Sequence, residues 1–111
     1  MSDVIETHTL YTAGAESLDV TERITPDPTA ATPQFGVATA ADTPPSSWVN
    51  GAWKAGSTWS STTGQIVATS PTIGGTASLV ITAGSTFQIW TKVVVGSETF
   101  IRRAATIVCP A

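Results

Sequence analysis

Branching at the β carbon dominates this sequence. Val and Ile together number eighteen against three Leu, and Thr supplies twenty more residues. Such side chains lose rotamer freedom in a helix but pack well on a pleated surface, so strands are the expected element throughout. Hydrophobic residues make up 41% of the 111 and charged residues only 12%. That balance is the opposite of the low-hydropathy, high-charge signature of disorder. A chain of this length fits one compact domain with a modest core and little room for a large internal pocket.

Turn chemistry divides the chain. Two half-polar β segments, Val4 to Thr12 and Glu16 to Ile24, flank Ala13-Gly14-Ala15. Pro26-Asp27-Pro28 then removes two backbone donors and biases its neighbours away from helix. Residues 1–25 are therefore expected to form an N-terminal β-type arm and residues 26–111 the body. Within the body, strand-like runs cover Gln34 to Thr39, Trp48 to Ala55, Gln65 to Thr69, Ala77 to Thr82 and Thr86 to Val95. Short strands between Gly and Pro turns, with no helical period, predict an all-β fold. Its expected form is an immunoglobulin-like β-sandwich of about seven strands.

The last hairpin carries the sharpest local signal. Val95-Gly96-Ser97-Glu98 puts Gly at the first central position of a two-residue turn, as type II′ geometry requires. Pairing Val95 with Glu98 sets Val93 against Phe100, Ile89 against Ala104 and Phe87 against Thr106 on a face expected to be core. On the other face Trp90 meets Arg103 and Lys92 meets Ile101. A cation beside an aromatic ring at a half-exposed site is worth about 0.5–1 kcal/mol. Trp90, Lys92 and Arg103 are therefore expected to face water or a partner. Core surface is expected from Phe35, Val37, Ile66, Leu79, Ile81, Phe87, Ile89, Val93 and Phe100.

Reactive chemistry has few candidates. His8, the single histidine, lies in the polar arm, and Cys109, the single cysteine, has no base beside it. Asp3, Glu6, Glu16, Asp19, Glu22 and Asp27 are dispersed without calcium-loop spacing. The expectation is a non-enzymatic protein with no cofactor and no metal. A lone cysteine fits folding in a reducing compartment, and Met1-Ser2-Asp3 does not read as the start of a signal peptide. Without a basic cluster or a long apolar run, neither nucleic acid nor membrane is an expected partner. Trp48, Trp53 and Trp59 fall within twelve residues. They either help to close the core or offer a platform on which sugar rings stack.

Charge is asymmetric. Residues 1–42 carry a formal −6 and residues 43–111 a formal +3. An acidic β-type arm before a Pro-rich hinge suits either folding back on its own body or strand addition to a neighbour. In the second case Val4, Ile5, Leu10 and Tyr11 are the candidate contacts, and the sandwich would stay folded without the arm.

Asp27-Pro28-Thr29 leading to Phe35 and Val37, the SSWVNGAWKAGS run with Trp48 and Trp53, and GSTFQIWTKVVVGSETFIRRAATIV resemble the small Ig-like virion proteins of tailed phages of actinobacteria. The resemblance covers about residues 26 to 108. It implies a structural protein of the virion, made in the host bacterial cytoplasm and assembled in many copies. The implied partners are the major capsid protein or other virion proteins and copies of itself. A capsid decoration or minor head protein is the leading expectation. A head–tail connector or tail component of the same fold comes next, and a carbohydrate-binding adhesion module using the tryptophans is the alternative from another class.

Overall fold

The structure, a computed structural model, describes residues 5–40 and 42–111. Among the described residues ten strands follow one another: β1 (Glu6–Thr9), β2 (Asp19–Arg23), β3 (Gln34–Ala38), β4 (Val49–Asn50), β5 (Ala52–Trp53), β6 (Gln65–Thr69), β7 (Ile73–Gly74), β8 (Leu79–Val80), β9 (Ser85–Val95) and β10 (Glu98–Cys109). The fold is an all-β sandwich. One sheet has the order β1-β10-β9-β3-β4, the facing one β2-β6-β5, and β7 and β8 form a short parallel pair.

Inward-facing residues at period two build the core. Val20, Glu22 and Ile24 are buried along β2 and its end, Ile66 and Ala68 along β6, and Phe35, Phe87, Ile89, Ala105 and Ile107 on the larger sheet. Of the expected core set, Val37 packs partly buried against the main cluster. Phe100 is only half-buried, because it sits opposite Val93 near the hairpin end, where among the described residues only β9 and β10 remain paired.

The run from Trp48 to Ala55 is not one strand. Gly51 breaks it, so β4 joins the larger sheet and β5 the smaller, closing one side of the sandwich. A side chain does not fit at that corner. A Cβ on Gly51 would lie 2.5 Å from the Phe35 ring and 2.7 Å from the Thr69 carbonyl oxygen, while its N–H donates to the Pro33 carbonyl.

Residues 5–25, read from sequence as part of an arm, contribute to both sheets. β1 pairs in parallel with the far end of β10, and β2 pairs antiparallel with β6. Leu10, Leu18 and Val20 join the same core cluster as Phe35 and Ile89. The acidic N-terminal part is thereby laid against its own body.

In the β9–β10 hairpin Val95 pairs with Glu98, Val93 with Phe100, Lys92 with Ile101 and Trp90 with Arg103. Past Arg103 the register shifts, so Ile89 pairs with Ala105 and Phe87 with Ile107, not with Ala104 and Thr106. The extra residue is a β-bulge. It turns Ile107, fully buried, into the core and leaves Thr106 to accept its place on the outer face, where its hydroxyl donates to Gln88 Oε1 at 2.9 Å.

Candidate interaction surface

The hairpin projects beyond its neighbours. β3 pairs with β9 only from Gln88 to Lys92, and β1 with β10 only from Ala105 to Val108. Among the described residues, the two strands from Val93 to Ala104 therefore pair only with each other. Gly96 holds the turn at φ +62°, which a residue with a Cβ adopts at a cost. Cross-strand partners share a face, so Lys92, Val94, Ile101 and Arg103 stand together on the outer side. Val94 and Ile101 are each 44% exposed, and Lys92 and Arg103 are half-buried beside them. An apolar pair flanked by two cations is the result.

Trp90 does not belong to that exposed set. It is 8% exposed, and this corrects the expectation that it faces a partner. Its cross-strand neighbour on the other side is Gly36. A Cβ there would meet Pro45 Cγ at 2.5 Å and the Ser47 carbonyl oxygen at 2.8 Å. The connection between β3 and β4 thus folds over the outer face beside the indole. The cation–π contact forms elsewhere: Lys92 Nζ lies 5.6 Å from the centroid of the Trp48 ring.

Leu10 is likewise core rather than contact surface, 5% exposed, because its N–H donates to the Val108 carbonyl and seats it beside β10. Tyr11, next along, is 60% exposed. Ile5 is half-buried, and Val4 lies outside the described residues. The remaining tryptophans are each half-buried and held by separate partners. Trp53 Nε1 donates to the Ala31 carbonyl and Trp59 Nε1 to the Ile24 carbonyl, both at 2.8 Å.

The side of the sandwich opposite Gly51 is spanned by a feature the sequence reading missed. Glu22, 2% exposed, points between the sheets and accepts from Arg102 Nε at 3.1 Å. Arg102 Nη2 also donates to the Thr21 carbonyl. Glu22 Oε1 has no partner among the described residues. The signal was present: Glu22 sits between Val20 and Ile24 at the inward period of a strand. Nearby, Glu6, His8, Asp19, Thr21, Gln65 and Arg102 line much of a cleft of about 280 Å³. His8 Nε2 lies 3.3 Å from Glu6 there. Asp19 is held below the usual carboxylate range by Lys54, whose Nζ donates at 2.6 Å, and by the Thr69 hydroxyl.

Among the described residues no group of His, Cys, Asp and Glu converges as a metal site, and no helix is long and apolar enough to cross a membrane. Compared with known protein families, curated proteins and solved structures, the chain matches none. What the projecting hairpin offers is apolar contact and charge.

Proposed function

We propose that the chain is a non-enzymatic structural protein of a phage virion, a capsid decoration or minor head protein that binds the major capsid protein. It is made in the host bacterial cytoplasm and carries the immunoglobulin-like form of the sandwich. One observation carries the reading: the β9–β10 hairpin presents exposed Val94 and Ile101 between Lys92 and Arg103, past the last pairings with β3 and β1 among the described residues. Apolar area at the centre of a patch with charge at its rim suits a protein partner. The kind of partner is what the resemblance of the Ser46–Ser57 and Gly84–Val108 segments to small Ig-like virion proteins implies.

The test is to add purified protein to particles lacking the native copy and reconstruct them. Repeated density over the capsid shell is expected, with occupancy lost for a Val94→Asp variant that keeps its β-type circular dichroism. A ring of density at one vertex would favour the connector or tail reading. Particles bare of density would refute both.

A further inference from the structure

The corner that closes one side of the sandwich also holds a reactive dipeptide. Asn50 is the sole asparagine of the chain, and a glycine follows it. An asparagine side chain is an electrophile for the backbone nitrogen of the next residue, because attack on Cγ closes an unstrained five-membered ring. A Cβ on that next residue obstructs the approach, so glycine leaves the nitrogen most open to react. At this corner glycine is required, since a Cβ at position 51 would lie 2.5 Å from the Phe35 ring. The steric demand of the fold and the reactivity of the dipeptide therefore come together at one residue. Asn50 is exposed, so water reaches it.

We infer that Asn50–Gly51 is a self-modification site, restrained while the corner is closed and released when β4 leaves β3. The Gly51 nitrogen gives its proton to water and bonds to Asn50 Cγ; the bond from Cγ to the side-chain nitrogen breaks, and ammonia departs with a proton. A succinimide is left. Water then cleaves one of its two bonds to the Gly51 nitrogen. Cleavage at Cγ gives aspartate, and cleavage at the Asn50 backbone carbonyl gives isoaspartate, whose backbone is longer by one carbon. Two hydrogen bonds oppose the first step. Gly51 N–H donates to the Pro33 carbonyl at 2.8 Å, which keeps the proton in place and aims the nitrogen at β3. Gln34, the register partner of Asn50, donates from Nε2 to Asn50 Oδ1 at 3.2 Å and draws the amide toward its own strand. The extended backbone adds to both, because a strand's side chains stand off the sheet while its N–H groups lie in the plane. Among the described residues β4 is a two-residue edge strand laddered to β3 alone. Such segments open at a lower free energy than the core around them. Isoaspartate then makes the opening permanent, since its extra carbon enters a corner where the Phe35 ring and the Thr69 carbonyl leave no room for a methyl group. The reaction involves no partner, so its outcome is independent of attachment to a particle.

The test incubates the purified chain, folded and in urea, at one pH and temperature. Mass spectrometry and chromatography of the tryptic peptide Ile24–Lys54 then count aspartate and isoaspartate at position 50. Both products should accumulate in urea and form at least about tenfold more slowly in the folded chain, because a slow reaction follows the population of the open form. Gln34→Ala, with its β-type circular dichroism intact, should speed the folded reaction by about two- to tenfold, the worth of one hydrogen bond, and leave the rate in urea unchanged. Low urea should raise the folded rate only weakly, since opening two edge residues exposes little surface. The isolated isoaspartate form should unfold at a lower urea concentration than Asn50→Asp, whose backbone keeps its length. No product in urea, equal rates folded and unfolded, or a folded Gln34→Ala chain no faster than the native one would overturn the inference. So would a urea dependence as steep as that of global unfolding, or an isoaspartate form as stable as Asn50→Asp.

Discussion

Glu22 and Arg102 set the sharpest condition at the scale of single residues. A carboxylate 2% exposed is tolerable between apolar layers only because a guanidinium spans the gap to it. Removing one partner of such a pair strands the other and costs about 3–5 kcal/mol, whereas replacing both with apolar groups is often neutral or better. Arg102→Ala should therefore destabilise strongly in urea unfolding, and Glu22→Met with Arg102→Met together should recover most of that loss. A single variant costing as little as an exposed substitution would show that the bridge is ornamental. Asp19 works at the surface, where its carboxyl is held below its ordinary value of 3.8 by Lys54 and Thr69. A depressed folded-state value stabilises above the unfolded value, and that contribution is lost as pH falls through the folded one. Asp19→Asn should accordingly lower the melting temperature slightly at pH 7, with the gap closing below about pH 3.8; a constant gap down to pH 2 would contradict the linkage.

Among the elements, β1, β2 and the Gly51 corner decide how the layers hold together. Deleting residues 1–25 removes β1 and β2 with Leu10, Leu18, Val20 and Ile24, all buried. Large apolar truncations cost about 2–5 kcal/mol each in a core, against about 5–15 kcal/mol of total stability for a small domain. The shortened chain should be unfolded by circular dichroism, in contrast to the behaviour expected of a detachable arm. Gly51→Ala should cost about 1–3 kcal/mol by forcing the Phe35 ring or the Thr69 carbonyl aside, measurable as a lower urea midpoint with an unchanged slope. Sequence could place the Gly but read the strand straight through it. What turns the corner is the Phe35 ring on another strand, and no local pattern names that neighbour.

On the scale of the whole molecule, the first strand lies beside the last, and β3 inserts between β9 and β4. Such long-range pairings must close large loops before they gain any contact, which places similar folds in the range of about milliseconds to seconds. Stopped-flow refolding should find a main phase in that window, and a microsecond phase accounting for the full amplitude would contradict it. The same topology brings the acidic N-terminal part against the basic C-terminal strands, as β1 pairs with β10 and Glu22 meets Arg102. Charge asymmetry along the sequence therefore does not by itself point to an outside partner.

What the sequence determined was everything that local chemistry fixes. The excess of β-branched residues dictated strands, and Gly96 dictated a II′ turn whose register runs correctly from Val95 and Glu98 to Trp90 and Arg103. Tertiary structure decided the rest. The bulge past Arg103, which exchanges Ala104 and Thr106 for Ala105 and Ile107 opposite β9, responds to the need to bury Ile107 under a facing sheet. The alternation of β9 makes Trp90 share its face with Lys92 and Arg103, which by itself predicts surface. The indole is covered because Gly36, distant in sequence, leaves room for Pro45 beside it. A strand's alternation tells which residues share a face, but whether that face meets water depends on which other segment crosses it, and only the folded chain settles that.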